Sequence, residues 1–368
     1  VTLAVLGAGQ LGQMLGFAAT KLGIDTCFLD PAEAPCAARA GPVIQAEYAD
    51  TAALRQLAER ARYASFEFEN VPPDALRLLE AQGLQVAPNA DALQHAQDRG
   101  VEKALFDRLG VPVAPYRCVD DLSAAQAAIT ALGVPAVIKT RRFGYDGKGQ
   151  VVIRHAREVA AAWQAIGAQP AIVEAWVPFE REVSCLGVRS RGGGETRFYP
   201  LTTNTHRDGI LRLSVPSSAS DPLQSTAEQH TRRVMDTLDY VGVMAFEFFI
   251  VNNQLFGNEI APRVHNSGHW TQDGAVTSQF ENHVRAVCGL PLGETSLTRP
   301  VAMINLVGQM PSEAIWAEHA EHLCVHDYGK AARRGRKVGH VNVWADTPAQ
   351  LAQRLTHLAT VVKPFEDG

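Results

Sequence analysis

The stretch Ala245-Phe246-Glu247-Phe248-Phe249, with Gly257-Asn258-Glu259-Ile260-Ala261-Pro262-Arg263 behind it, confines this chain more tightly than any other. Two apolar runs on either side of Asn252-Asn253-Gln254 read as an antiparallel hairpin, and each run carries one glutamate. Buried Glu is uncommon unless it is paired or coordinated, so two of them among Phe, Ile and Ala demand a cation. Register decides whether they can share one. A three-residue loop at 252–254, or an equivalent bulge, sets Glu247 opposite Glu259 on one face, with Cβ atoms roughly 5 Å apart. A two-residue Asn-Asn turn in a regular ladder pairs Glu247 with Asn258 instead and sends the carboxylates to opposite faces. The first arrangement is expected. Its all-oxygen set of Glu247 and Glu259, with Asn258 nearby, suits Mg²⁺ or Mn²⁺, which bind through a few carboxylates plus substrate phosphates. The bland alternative, an edge hairpin with two solvated glutamates, fits such apolar flanks poorly.

The first hundred residues alternate short apolar runs with helical stretches: a strand at Leu3 to Leu6, a helix over 10–22, a strand at Thr26 to Leu29, a helix over 50–61 and a strand at Ala64 to Phe68. That order implies a parallel α/β unit. Around Ala87-Pro88-Asn89 the pattern breaks. Helices are expected over 98–109 and 123–132, a strand at Ala136 to Lys139, then mainly strands to 260 with one helix near 222–239. After Arg299-Pro300 a strand-helix-strand tail ends in a helix near 347–361. Gly7-Ala8-Gly9-Gln10-Leu11-Gly12 matches the dinucleotide fingerprint, with Asp30 near the usual acidic position, and alone it would suggest NAD or FAD. Its physics is broader, because a helix N-terminus favours any phosphate or carboxylate.

Phe143 to Gln150 carries three glycines in six residues, and with Lys139 and Lys148 it can wrap phosphate oxygens, although it lacks the Walker spacing. A plain glycine-rich hairpin is the alternative. Ile172 to Val177, followed by Glu180 to Val183, reads as a strand leaving into a linker; such a linker can meet a purine edge, with a carboxylate such as Glu182 holding a ribose, but taken alone a plain strand exit is the stronger reading. Arg263 to Trp270 groups a cation, two imidazoles, an amide and a hydroxyl. His265 and His269 at helical spacing hint at zinc, but Asn266 and Gly268 argue for a loop and no third ligand is apparent. Lys330, Arg333, Arg334, Arg336 and Lys337 form the one basic cluster, either a solvated face or a phosphate anchor.

The 368 residues allow two or three domains, and 46% hydrophobic with 20% charged residues is an ordinary globular balance. A net charge of -5 argues against a general nucleic-acid binder. Six cysteines, with no CxxC, fit reduced thiols in a cytoplasmic protein. No apolar run reaches membrane-spanning length, so no membrane partner is expected. Val1 opens inside a strand pattern, so an initiator segment is expected before this numbering.

Together these residues resemble the ATP-grasp superfamily and, within it, the N5-carboxyaminoimidazole ribonucleotide synthetase family, over nearly the whole chain. The signatures are GAGQLG at 7–12, FEFENVP at 66–72, QDR at 97–99, FGYDGKGQ at 143–150, FEFF at 246–249, NEIAPRVHNSGHWT at 258–271 and GRKVGH at 335–340. The resemblance implies an α/β and α+β multidomain protein: a Rossmann-like parallel sheet over 1–95, an ATP-grasp domain over 96–298 with a lid at about 112–178, and a small C-terminal α/β subdomain over 299–368. It implies that Arg99, Lys139 and the loop Gly144, Tyr145, Asp146, Gly147, Lys148, Gly149 and Gln150 hold the ATP triphosphate. Glu174, Ala175, Trp176 and Val177 would meet adenine, Glu182 the ribose, and His206 and Asn258 would lie beside the nucleotide. Glu247 and Glu259 would bind Mg²⁺. The acceptor, aminoimidazole ribonucleotide, would be held by Gln10, Leu11, Glu67, Tyr145, Asn266, Lys330, Arg336 and Lys337. Arg263, His265 and Lys139 would be catalytic in an ATP-dependent carboxylation through carboxyphosphate. The family also implies a cytoplasmic homodimer with small-molecule substrates only. Rival readings are a formate-dependent glycinamide ribonucleotide formyltransferase of the same fold, an NAD-dependent oxidoreductase resting on GAGQLG, and a non-catalytic nucleotide-binding module.

Overall fold

The computed structural model describes residues 2–144, 149–192, 194–317 and 320–362. Its first unit is a five-stranded parallel sheet in the order Val43–Gln45, Asp25–Asp30, Thr2–Leu6, Tyr63–Phe66, Gln85–Val86. Both faces are covered. Leu3, Val5 and Phe28 pack against Leu11, Met14 and Leu15 of the helix Gln10–Lys21, while Ala4, Leu6 and Leu29 pack against Leu54 and Leu57 of Thr51–Ala58 and Leu76 and Leu79 of Pro73–Ala81. Burial on both sides is why these strands read as unbroken apolar runs. Strand order reverses direction between Thr2–Leu6 and Tyr63–Phe66, and the crevice beyond their carboxyl ends is where such sheets bind ligands.

A second, four-stranded antiparallel sheet runs Tyr116–Val119, Ala171–Ala175, Ala136–Thr140, Gln150–Ile153. Helices Leu122–Leu132 and Val159–Ala165 supply its core through Ala128, Ile129, Ala162 and Trp163. The second of these helices lies where the sequence pattern suggested strands alone.

The third sheet has nine strands and holds both the hairpin and the tail. Gly242–Val251 pairs with Gln254–Ala261 on one side and Arg181–Arg189 on the other; Thr202–Arg207, Ile210–Pro216 and Val301–Gly308 continue the sheet. The tail also differs from expectation: two strands, Leu323–Asp327 and Arg333–Trp344, follow the short helix Glu313–Ala317 where one was expected.

Strand alternation divides the two faces of this sheet. Val183, Cys185, Phe246, Phe248 and Ile260 point into one core with Phe106 and with Val234 and Met235 of the helix Gln224–Thr237. Glu182, Ser184, Asn204, His206, Ser214, Glu247 and Glu259 take the other face, joined there by direct side-chain contacts. Phe280, Val284 and Val287 of the helix Gln279–Val287 share a core with the first unit, and Ser65 Oγ lies 2.8 Å from His283 Nε2. The first unit is thereby fastened to the sheet that carries the carboxylates.

Candidate functional site

The hairpin turn has two residues rather than the expected three. Asn252 and Asn253 adopt φ of 48° and 58°, and Val251 faces Gln254. Asn tolerates this left-handed region, and such a turn suits the strand twist. Left alone it would pair Glu247 with Asn258. A bulge restores the match: Phe248 faces Gly257, Glu247 faces Glu259, and Asn258 is the extra residue between. Buried Lys103 holds the bulge, its Nζ donating to Gly257 O at 3.0 Å and Asn258 O at 2.9 Å. Its neighbour Glu102 accepts from Ile260 N at 2.6 Å. Asn258 Oδ1 is buried without a hydrogen-bond partner.

The two carboxylates are electrostatically unequal. Glu259 Oε2 accepts from Arg99 Nη1 at 2.6 Å, and although burial works to raise its pKa, the guanidinium prevails and holds it at about 2. Among the described residues no guanidinium or ammonium is bonded to Glu247; burial first, and then the charge of Glu259, push it up to about 7. Two opposed carboxylates beside an unpartnered amide oxygen form a hard-oxygen set with an electrostatic deficit that a divalent cation relieves, so the residues fit Mg²⁺ or Mn²⁺.

On the four-stranded sheet, Lys139 Nζ lies 3.0 Å from Glu174 Oε1, and Lys103 Nζ, from the helix Arg99–Arg108, lies 3.5 Å from Glu174 Oε2. Burial opposes ionisation of Glu174, yet the two lysines hold its carboxyl at about 2. The Glu174 carboxylate thereby ties Lys139 to Lys103. Ala175 N and Trp176 N donate to Pro115 O and Pro135 O, fixing the strand exit. Gly144, Gly149 and Gln150 border the glycine loop. Gly149, with φ of 70°, runs so close to Thr140 that a Cβ would sit 2.7 Å from its hydroxyl. Tyr145, Asp146, Gly147 and Lys148 lie outside the described residues. Glu182 Oε2 lies 2.5 Å from His206 Nδ1, and this contact raises the His206 pKa against the opposing effect of burial.

At the other end, the glycine turn is already occupied by the protein itself. Glu67 accepts from Gly9 N at 2.6 Å and Gly12 N at 2.7 Å, and a Cβ on Gly7 would fall 2.5 Å from Glu67 Cγ. Asp30 accepts from Ala8 N at 2.8 Å and from Tyr48 Oη at 3.0 Å. Both carboxylates that could have met a dinucleotide are consumed in closing the turn. Leu11 packs into the core, so only its backbone can serve an acceptor. Gln10 Oε1 accepts from Lys330 Nζ at 2.5 Å, bringing the first turn and the basic tail together. Arg336 Nη1 donates to Ala331 O at 3.3 Å, and the charge of Lys337 acts on both His265 and His206. Asn266 keeps both amide atoms buried without hydrogen-bond partners.

Between these two ends stand Arg263 and His265. Arg263 is gripped by Glu69, with Nη2 donating to Oε1 at 2.8 Å and Nε to Oε2, and its charge acts on Glu67, Glu247 and Glu259. His265 Nε2 lies 3.3 Å from Glu247 Oε1; burial, with Arg263 and Lys337 nearby, lowers its pKa to about 3. His269 turns toward Gln279, its Nδ1 3.1 Å from Gln279 Nε2, and among the described residues neither imidazole falls in a group of three metal-ligating atoms. Glu69, Lys103, Glu102 and Asp98 escaped sequence reasoning. FEFENVP signalled Glu69 as strongly as Glu67. Asp98, in QDR, caps the helix Arg99–Arg108 and binds Arg141 at 2.9 Å.

Comparison with known proteins gives one consistent result. Residues 1–97 match the ribonucleotide synthetase preATP-grasp domain, 104–280 the ATP-grasp domain, and 301–354 the phosphoribosylaminoimidazole carboxylase C-terminal domain. The N5-carboxyaminoimidazole ribonucleotide synthase of Pseudomonas aeruginosa is 50% identical over 98% of this chain and 99% of its own. The crystal structure of N5-carboxyaminoimidazole ribonucleotide synthetase from Thermus thermophilus superposes with a TM-score of 0.92 at 47% identity, covering 98% of each chain. The N5-carboxyaminoimidazole synthase of Aspergillus clavatus, solved in complex with ADP and 5-aminoimidazole ribonucleotide, gives a TM-score of 0.89 at 27% identity over 99% of this chain and 98% of that one.

Proposed function

This chain belongs to the N5-carboxyaminoimidazole ribonucleotide synthase family of ATP-grasp enzymes, and on that footing we propose that it is a ligase of purine biosynthesis. It carboxylates the exocyclic amine of 5-aminoimidazole ribonucleotide with ATP and bicarbonate, releasing ADP and phosphate. The observation that supports this best is the position of Arg263 and His265, whose surroundings include the carboxylate pair on one side and the Glu67-closed turn on the other.

Bicarbonate is a poor electrophile until activated. Its oxygen attacks the γ-phosphorus of ATP, the β–γ bridge bond breaks, and carboxyphosphate and ADP form. Lys139 and Arg99 offset the charge that spreads over the transferred phosphoryl group. Glu247, Glu259 and the Asn258 amide oxygen would hold Mg²⁺, which when bound supplies charge neutralisation to the phosphate oxygens. Arg263, fixed by Glu69, presents its remaining guanidinium edge to the bicarbonate, and His265 offers a neutral ring beside it. The acceptor amine then takes the carboxyl carbon, directly or through CO₂ released inside the closed site; phosphate leaves and the amine loses a proton. Carboxyphosphate hydrolyses readily, so the reaction requires that water be kept from the site while it exists. Gln10 and Lys330 bind the acceptor, with Arg336 and Lys337 at its phosphate and Asn266 supplying its unpartnered amide. A cytoplasmic homodimer belongs to the same proposal.

ADP release measured with aminoimidazole ribonucleotide plus bicarbonate, with glycinamide ribonucleotide plus formate, and with neither acceptor tests the reading, alongside an NADH titration. Turnover with the first pair is expected. Preference for the second pair, or tight NADH binding without ATP turnover, overturns it.

A further inference from the structure

A polar string crosses the acidic face of the nine-stranded sheet and ends on His265. It begins at Ser214, whose Oγ donates to Oδ1 of Asn204, its cross-strand partner, at 2.8 Å. Asn204 Nδ2 donates to Ser184 Oγ at 3.1 Å, and Ser184 Oγ to Ser267 Oγ at 2.8 Å. Ser267 Oγ in turn lies 2.8 Å from His265 Nδ1. Ser184, Ser214 and Ser267 are completely buried and Asn204 nearly so. Hydroxyls and an amide in such places cost free energy unless every one is hydrogen-bonded, and apolar residues would fill the same space without that demand.

One donor near the ring cannot rotate. Ser267 N–H lies 3.4 Å from His265 Nδ1, too long a contact to hold the ring by itself, but a backbone N–H only donates, so it sets the sense of the string with Nδ1 as acceptor. Every rotatable group behind it then has one direction available. Ser267 Oγ gives its proton to Nδ1 and accepts from Ser184, Ser184 accepts from the Asn204 amide, and the Asn204 carbonyl accepts from Ser214. The ring proton is left on Nε2, the nitrogen 3.3 Å from Glu247 Oε1.

We propose, resting on the carboxylase reading for the catalytic consequence alone, that Ser267, Ser184, Asn204 and Ser214 are positioning residues that hold His265 in its Nε2–H tautomer. The ring then meets the oxygens gathered at Glu247, including those of bicarbonate, as a hydrogen-bond donor and not as a base. The second nitrogen of a functional histidine is commonly pinned in this way, and loss of such partners typically costs about 10–100-fold in activity.

The test reads the tautomer directly. Ring ¹⁵N shifts of His265, assigned by their loss in His265→Gln, are recorded for the ligand-free wild type and for Ser267→Ala, Ser184→Ala and Ser267→Thr. The wild type is expected as a single Nε2–H form. Both alanine variants should populate the Nδ1–H form and lose about 10-fold or more in kcat for acceptor-dependent ADP release, with the KM for ATP unchanged. Ser267→Thr should restore both. A wild-type proton on Nδ1 overturns the proposal, as does a wild-type tautomer in Ser267→Ala and Ser184→Ala. Should an alanine variant fail to fold, Asn204→Asp keeps the shape and removes the donor three links from the ring; an unchanged tautomer there also overturns it. A correct wild-type tautomer in a protein that turns over no acceptor separates failure of the functional reading from failure of this one.

Discussion

The glycine turn at 7–12 and the hairpin at 242–261 each bring acid to the edge of a cleft, and they settle its charge in opposite ways. In the turn, Glu67 spends both oxygens on Gly9 N and Gly12 N. In the hairpin, Glu259 is claimed by Arg99, while Glu247 faces Glu259 and is pushed up to about 7 by burial and by that neighbouring charge. The turn is complete as folded and supports whatever binds beside it. The hairpin keeps two facing carboxylates, of which Arg99 holds only Glu259. A fingerprint that names a cofactor thus proved less informative than two facing glutamates of which Arg99 holds only Glu259.

The sharpest way to break the contrast is Glu259→Gln. ATP turnover should fall by about 10²-fold or more, as expected for loss of a metal ligand or a transition-state charge partner, with the fold retained. Near-normal ADP release in a steady-state assay would end the assignment of the pair. Glu67→Gln should do the reverse. It offers an amide donor to a backbone N–H, so a urea titration should show stability lost by about 1.5–3 kcal/mol, the usual range for hydrogen bonds to a charged group. The acceptor KM should rise through the displaced Gln10, while acceptor-independent ADP release stays near wild type.

The smallest effect is a pH dependence. Because the folded pKa of Glu247, about 7, lies above the reference 4.5, the folded protein keeps a proton that the unfolded chain has lost in that interval. Stability contributed by this group is full below the lower value and declines as pH rises through the upper one. Tm in EDTA should therefore drop by on the order of 2–4 °C across that window relative to Tm with Mg²⁺, where the slope should flatten. Identical slopes with and without metal would place the cation elsewhere.

Much of this was legible in one dimension because strand alternation needs only local spacing. The shared face of Glu247 and Glu259 follows from it, and the parallel sheet was legible in short apolar runs alternating with helical stretches. The bulge was not legible by the same route: the Asn252-Asn253 turn alone dictates the wrong phase, and what corrects it is Lys103, more than 150 residues away from the Gly257 and Asn258 carbonyls it binds. The strand ending at Phe66 hid Glu69 in a similar way, since alternation through 66–69 gives both acids one role, whereas the chain leaves the sheet and delivers them to different partners.

Lys103 also makes the bulge a mechanical joint. Arg99 rides one turn ahead of it on the helix Arg99–Arg108, and Glu259 follows directly after the carbonyls that Lys103 grips. The guanidinium and the carboxylate therefore travel as one rigid part, like two teeth of the same key. A substitution that tilts the helix will misplace both together and, in a mutational scan, will read as a lesion in the acid pair although neither acid was touched.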